Sequence, residues 1–311
     1  MTGEAAPSPP FVAAPGATVG ELRGLIIACW RQAGIEEAAR EADLLLAWLL
    51  GCDRAGLILA GERPVAPGQL ALLEQLVRRR AGREPIAYLL GEWEFWSLPF
   101  RVGPAVLIPR PETELLVEET LKFARQSSAH HGGTINILDL GTGSGVLAVV
   151  LARELPQARV VAVDRSPAAL AIARGNAHRH GVENRVAWLA ADWLSAFGPQ
   201  TPPFDLVVSN PPYVEAAALA SLAPEVRDFE PRQALDGGEA GLREVITLAR
   251  EIPPHLRPGG RLLIEIGWDQ EAAVRALFGA SPAFDQVEVL PDLAGLPRIL
   301  SCRRSHGQDS D

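Results

Sequence analysis

The sequence predicts an α/β protein, with a mostly parallel sheet covered by helices on both faces and an all-helical domain ahead of it. Three observations carry this reading. From Ile135 onward, short β-rich runs bounded by turn residues alternate with helical stretches, the pattern of a parallel sheet. Between about residues 18 and 85 the apolar positions recur at helical spacing instead. At 311 residues the chain is too long for one small core and suits two domains.

The helical part begins where Thr18 and Glu21 form a capping-box pattern opening VGELRGLIIACWRQAG. EEAAREADLLLAWLLG makes a second helix, Asp53 caps a short third, and APGQLALLEQLVRRRAGRE is a fourth, amphipathic one. Arg78, Arg79, Arg80 and Arg83 form the strongest local positive charge. They read either as a solvated helix face or as a docking surface for an RNA-bound or acidic partner. EWEFWSLPFRV, with its aromatics and Leu-Pro break, predicts a hairpin. LIPRPETELLVEETLKFAR then combines a Pro-bounded loop with a helix from about Pro111.

Five strands follow at INILDL, ARVVAVD, RVAWLAAD, FDLVVSN and GRLLIEIG, and two more at DQVEVL and RILSCR. The expected organisation is a loose tail over 1–17, a helical domain over 18–90, a β-hairpin linker over 91–110 and an α/β domain over 111–311.

Composition narrows the function classes. A formal net charge of −9 argues against a broad non-specific nucleic-acid surface, though a local basic patch remains compatible with it. Cys29, Cys52 and Cys302 are far apart and fit neither a zinc spacing nor a disulfide framework, so they read as buried, inert thiols. The first residues lack the basic and apolar regions of a secretory signal. No apolar run approaches the ~20 residues needed to span a bilayer. A cytoplasmic monomer is expected. His130 and His131 fall in an expected polar loop, and the i, i+2 spacing of His178 and His180 does not share a helix face. No metal is expected.

The first strand of the sheet runs into DLGTGSG, and a helix follows. In the loop Gly141, Thr142, Gly143, Ser144, Gly145, the three glycines allow a tight turn and close backbone approach to a ligand. The spacing is G-x-G-x-G, whereas the dinucleotide fingerprint would need glycine at Val146, and there is no Walker lysine. An adenosyl-like ligand without a pyrophosphate fits. Asp164, ending the second strand, is placed to accept from both ribose hydroxyls. Asp192 and Trp193, ending the third, could hold an adenine edge and ring face. Singly, each acid could equally be a helix cap; three strand ends in register favour a cofactor site.

From Ile135 to Arg303 the sequence resembles the class I, Rossmann-like methyltransferases, whose cofactor is S-adenosylmethionine. That resemblance implies that Asp139 sits beneath the glycine loop near the methionine amino group.

The fourth strand ends in FDLVVSNPPYVE, Phe204 to Glu215. Two successive prolines remove two backbone donors and fix two φ angles, so the chain leaves the sheet rigidly at Pro211. A turn alone would more often use Gly, Asn or Asp. A planar nitrogen with a delocalised lone pair attacks a methylsulfonium poorly. A site helps if it accepts both N–H groups and leaves one face open. Asn210 offers a side-chain carbonyl for this and Pro211 a backbone carbonyl. Pro211 and Pro212 hold the acceptors still, and Tyr213 supplies an aromatic wall.

The same logic serves DNA adenine methyltransferases, which act on a flipped base, and enzymes acting on a glutamine amide. GEWEF, LIPRPETELLVE and EPRQALDGGEAGL, with the acidic chain and the preceding helical domain, resemble the PrmC/HemK family of protein-(glutamine) methyltransferases from about Thr18 onward. The resemblance implies methylation of the glutamine in the Gly-Gly-Gln loop of bacterial peptide chain release factors, with no direct DNA substrate. It also implies that the helical domain docks the release factor, while the hairpin and the IPRPETE loop frame the cleft. A sister family acting on a large-subunit ribosomal protein shares Asn-Pro-Pro-Tyr but departs around Pro109 to Glu114. A scaffold binding S-adenosylmethionine without turnover would need neither the acceptors nor an open path to the methyl.

Overall fold

The computed structural model describes residues 11–131 and 133–306. Five helices come first: α1 (Val19–Gln32), α2 (Ala38–Leu50), α3 (Arg54–Leu59), α4 (Pro67–Ala81) and α5 (Ile86–Leu90). A hairpin follows, β1 (Glu92–Phe95) and β2 (Leu98–Arg101), then α6 (Thr113–His131). Strands and helices then alternate as β3 (Ile135–Leu140), α7 (Val146–Glu154), β4 (Ala158–Asp164), α8 (Pro167–Arg179) and β5 (Val186–Ala190). Next come β6 (Phe204–Ser209), α9 (Pro224–Phe229), α10 (Arg243–Glu251) and β7 (Leu256–Glu265). The last elements are α11 (Glu271–Gly279), β8 (Phe284–Pro291) and β9 (Pro297–Arg304). Among the described residues no helix is long and apolar enough to cross a membrane.

The chain forms two compact units. One runs to Gly91 and takes in Ala223–Phe229; the other holds Glu92–Leu222 and everything from Glu230 on. In the helical unit the capping box forms as expected: Glu21 N–H donates to the Thr18 hydroxyl and Thr18 N–H to the Glu21 carboxylate. Asp53 caps α3 through Gly56 N–H. Leu22, Ile26 and Trp30 of α1, Leu45 and Leu46 of α2, and Leu73 and Val77 of α4 are all fully buried. The Trp30 indole N–H donates to the Val77 carbonyl at 3.0 Å.

The expected tail falls partly outside the described residues. Of the remainder, Phe11 and Ala17 are buried and Ala13 N–H donates to Glu74, while Val12, Ala14, Pro15 and Gly16 are exposed. Helix α6 starts at Thr113 rather than Pro111 and continues through His131, where a polar loop was expected, because no Gly or Pro interrupts it before Gly132. Cys29 and Cys302 are buried, but Cys52 is only half-buried.

The arginine cluster is internally paired. Arg79 is bonded to Glu84, and Arg78 lies 3.5 Å from Glu74. Arg80, only 3% exposed, donates to Glu41 at 2.5 Å and to Glu225 at 3.0 Å. Arg83 donates to Glu225 at 2.7 Å and to the Ala33 and Gly34 carbonyls. A buried cation is tolerated only with such partners, so two of the four arginines fasten α9 into this unit.

In the other unit the two-stranded hairpin stands apart from a seven-stranded sheet of order β5-β4-β3-β6-β7-β9-β8. Neighbours from β5 through β7 pair in parallel; β9 runs antiparallel to both β7 and β8. β6 is buried at every position, as a strand covered on both faces must be. One face packs the wholly buried run Val146–Ala152 of α7 together with Leu116, Val117 and Leu121 of α6. The other packs Val245 and Leu248 of α10 and Val274 and Phe278 of α11. The strand order reverses between β3 and β6, and in open α/β sheets the crevice at that reversal is where ligands bind.

Arg80→Ala should lower stability by about 3–5 kcal/mol, because it leaves the part-buried Glu41 without its cation and Glu225 with Arg83 alone. Arg78→Ala, at the exposed end of the same cluster, should change stability by less than about 0.5 kcal/mol. Urea unfolding of the two variants measures the contrast; equal effects would mean that the buried pairing contributes nothing.

Candidate active site

The site grows from the parallel register. Leu140 pairs with Val163 on one side and Ser209 on the other, so three strands end level. Gly141 N–H and Thr142 N–H both donate to the Val163 carbonyl, and the Ser209 hydroxyl to the Leu140 carbonyl. The glycine loop, Asp164 and Asn210 therefore leave the sheet side by side.

Within the loop Gly141, Gly143 and Gly145 all have positive φ. At Gly145, which precedes the first turn of α7, a side chain would also meet the Ala173 Cβ at 2.9 Å, so glycine there lets α8 approach closely. The Asn176 side chain of α8 donates to the Ser144 carbonyl at 2.8 Å and holds the loop down.

An open cleft lies above these strand ends. Gly141, Thr142, Gly143, Ser144, Asp164, Asp192, Trp193, Asn210 and Pro212 line it; Asp139, Gly145, Pro211 and Tyr213 do not. Pro109, Arg110 and Thr113 of the IPRPETE loop also line it, whereas the hairpin does not. That loop is set by Glu230, a buried residue whose carboxylate accepts Ile108 N–H and an Arg110 guanidinium N–H.

Asp164 is half-buried, and each of its oxygens already accepts one backbone N–H, from Gly143 at 2.9 Å and Ser166 at 2.8 Å. Each oxygen keeps a second lone pair. The Trp193 indole N–H donates to the buried Glu244 at 2.8 Å, which fixes the ring beside Gly141. Asp139 is fully buried beneath the loop. Its Oδ2 accepts from the Thr142 hydroxyl and from Ala148 N–H, while Oδ1 has no hydrogen-bond partner among the described residues. Burial pushes its pKa up to about 7 against those two hydrogen bonds, and the nearby Asp164 charge adds to the rise.

Asn210 is half-buried at the end of β6. Its Nδ2 donates to the Thr113 hydroxyl at 3.1 Å. The hydroxyl donates in turn to Glu265 Oε2 at 2.7 Å, and Tyr213 O–H reaches Glu265 Oε1 at 3.4 Å. Among the described residues nothing donates to Asn210 Oδ1 or to the Pro211 carbonyl. The phenol of Tyr213 turns toward Glu265 instead of the cleft, and burial first, then the Glu265 charge, pushes its pKa up. Burial likewise pushes Glu265 up to about 7; Thr113 and Arg298 oppose the rise and Glu112 adds to it.

The two carbonyls after Pro211 lie against residues 237–241, and that of Tyr213 is hydrogen-bonded. Gln270 donates to the Tyr213 carbonyl at 3.2 Å, and the Asn-Pro-Pro-Tyr turn lies against residues 237–241. A side chain at Gly237 would sit 2.8 Å from the Pro212 carbonyl, and one at Gly241 would run into the Tyr213 carbonyl. Gly237 and Gly241 are there for this contact.

Glu244, Thr113 and Glu265 escaped the sequence reading. For Glu265 a signal existed: a lone acid in the apolar run GRLLIEIG. Nothing local marks Glu244 or Thr113, whose partners are far away in sequence.

Residues 21–91 match the family described as the PrmC N-terminal domain, and residues 113–226 the methyltransferase small domain. Among solved structures, the hMettl16 catalytic domain aligns over 75% of this chain and 83% of its own, with a TM-score of 0.54 and 14% identity, a likeness of fold alone. A sheet of this order with a glycine loop at its reversal, carrying a methyltransferase domain, makes the protein a class I methyltransferase with S-adenosylmethionine as its cofactor.

Release factor glutamine methyltransferases are its relatives. That of Geobacter sulfurreducens is 44% identical over 270 residues, which cover 87% of this chain and 91% of the relative. That of Cereibacter sphaeroides is 45% identical over 273 residues, covering 87% and 93%, and that of Bradyrhizobium diazoefficiens 39% identical over 297, covering 96% and 97%. The chain belongs to the release factor glutamine methyltransferase family.

The buried acids give a pH test. Asp139 and Glu265 titrate near 7 in the fold but ordinarily near 4, so their ionisation opposes folding once the pH exceeds the ordinary value. The stability associated with the neutral forms is full below about pH 4 and is lost as pH rises toward about 7. Without cofactor, the melting temperature should fall between about pH 4 and about pH 7, and less steeply for Asp139→Asn. Identical slopes would show that Asp139 ionises as it would in water.

Proposed function

We propose that this protein transfers the methyl group of S-adenosylmethionine to the side-chain amide nitrogen of the glutamine in the Gly-Gly-Gln motif of peptide chain release factors. The observation that carries the reading is the pair of unoccupied acceptors, Asn210 Oδ1 and the Pro211 carbonyl, held at the sheet reversal next to the glycine loop. The names of the relatives point to the same substrate. A formal charge of −9 favours a protein amide over a DNA base. The reaction belongs in the cytoplasm.

The residues present fit the cofactor. Asp139 Oδ1, buried and without a donor, suits an ammonium, directly or through a water. Asp164, with one lone pair spare on each oxygen, would hold the ribose hydroxyls, and the loop from Gly141 to Gly145 would lie along the amino-acid part. Asp192 and the fixed Trp193 ring would border the adenine. Bound S-adenosylmethionine supplies an electrophilic methyl on sulfur.

The chain's own task is to present a poor nucleophile. Asn210 Oδ1 and the Pro211 carbonyl would accept the two N–H groups of the substrate amide. The amide plane is thereby fixed and the nitrogen's open face directed into the cleft. As the nitrogen gains positive character its N–H groups become stronger donors, so these bonds strengthen on the way to the transition state. Pro211 and Pro212 keep both acceptors from relaxing, so little reorganisation accompanies reaction. The helical unit would dock the body of the release factor. The Arg78, Arg79, Arg80 and Arg83 cluster is already matched by carboxylates, so that contact would not rest on its charge.

Asp164→Ala should weaken S-adenosylmethionine binding by about 1.5–3 kcal/mol, the range for hydrogen bonds to a charged group. Calorimetry on a folded variant with an unaltered dissociation constant would remove Asp164 from the cofactor site.

Asn210→Ala should bind the cofactor nearly as wild type yet lose about 10²–10³ in turnover, as when one preorganised polar group is deleted. Single-turnover methylation of a purified release factor, with DNA as a second acceptor, reads both points. Wild-type turnover by the variant, or methyl transfer to DNA instead of the release factor, would overturn the assignment.

A further inference from the structure

An asparagine side chain is nearly symmetric in shape but opposite in polarity at its two ends, and only one orientation serves an acceptor site. Turned the other way, Asn210 would present N–H groups to the N–H groups of its substrate. The choice is made by Thr113. Its hydroxyl carries one proton, and the nearest acceptor is Glu265 Oε2 at 2.7 Å, a carboxylate oxygen with nothing to donate when ionised. With the proton committed there, the Thr113 oxygen can only accept, and of the two ends of Asn210 only Nδ2 can donate to it. Oδ1 is left turned away from Thr113.

We propose that Thr113 and Glu265 are positioning residues that set the polarity of the Asn210 side chain through this directed chain of hydrogen bonds. Three distant stretches supply it: Thr113 at the start of α6, Asn210 after β6 and Glu265 at the end of β7. Thr113 and Glu265 are 3% and 0% exposed, so water does not compete for the hydroxyl. The second oxygen of Glu265 faces the Tyr213 hydroxyl, so one carboxylate addresses both ends of the Asn-Pro-Pro-Tyr turn. Removing the carboxylate charge frees the Thr113 proton to point at Asn210, and the amide then gains by reversing. Removing the hydroxyl leaves the amide undirected.

The catalytic consequence rests on the function proposed above; the orientation itself does not, and two measurements keep them apart. The first needs no substrate. In ¹H–¹⁵N spectra of the full-length protein, the Asn210 side-chain amide, identified by its loss in Asn210→Ala, should shift in Thr113→Val and in Glu265→Gln. It should return toward the wild-type position in Thr113→Ser, which keeps the hydroxyl. An Asn210 amide unmoved by Thr113→Val would overturn the proposal whatever the substrate.

The second measurement is a double-mutant cycle on release-factor methylation. Thr113→Val and Glu265→Gln should each lower turnover about 10–100-fold, the usual range for residues that orient a working group, with cofactor affinity little changed. Thr113→Ser should recover most of the loss. In an Asn210→Ala background Thr113→Val should cost nothing further, because there is no amide left to orient. Full additivity would mean that Thr113 acts on something else and would overturn the proposal, while a wild-type protein inactive on release factors would count against the substrate assignment alone.

Discussion

The alignment of three strand ends is the constraint on which the site depends. Parallel pairing of β3 with β4 and β6 sets Leu140, Val163 and Ser209 at one level. The pairing continues beyond the strands, since the Val163 carbonyl takes two loop N–H groups and Ser209 caps the Leu140 carbonyl. A slip of one residue in either pair would turn every side chain of the slipped strand to the opposite face. It would also carry Asp164 away from Gly143, or Asn210 away from the loop. The apolar burial of β6 on both faces resists such a slip, so the precision of the site is anchored in the core.

Two buried acids sit behind that front. Asp139 and Glu265 occupy the ends of β3 and β7, each wholly enclosed and each bonded to a threonine hydroxyl. Neither makes the fold more stable on its own, because burial opposes the charge of both. Such placements are tolerated where they organise a site. Asp139 tightens the glycine loop from below, and Glu265 does the same for the turn after β6. The binding loop and the acceptor turn are thus built on one plan, a short polar strut rooted in the sheet.

Much of this was legible in the sequence because it obeys local rules. The capping box at Thr18, the Asp53 cap, the hairpin and the strands all follow from neighbours in the chain. So does the exit at Asn210, since proline acts on its own and the adjoining residue. What escaped was set by partners remote in sequence. The arginine run read as a face toward solvent or a partner, but Arg80 and Arg83 find Glu225 more than a hundred residues on. Tyr213 read as a wall for the substrate, but its hydroxyl finds Glu265. Thr113 looked like one residue of a loop until the ends of α6, β6 and β7 came together. Charge and hydrogen bonding, unlike periodicity, do not announce their partners.

The ion pairs of α9 bear on how the protein is made. A chain emerges from the ribosome N-terminal end first, and domains generally fold as they emerge. Here α1 to α5 are available early, but Glu225 follows only after residues 92–222. Until then Arg80 lacks one of its two carboxylates, and burying it is unfavourable. The helical unit must wait for its last piece while β3 to β6 are synthesised and begin to pair. Its completion is therefore tied to the synthesis of the neighbouring unit. A nascent chain interrupted before α9 carries five helices and an unfinished core clasp.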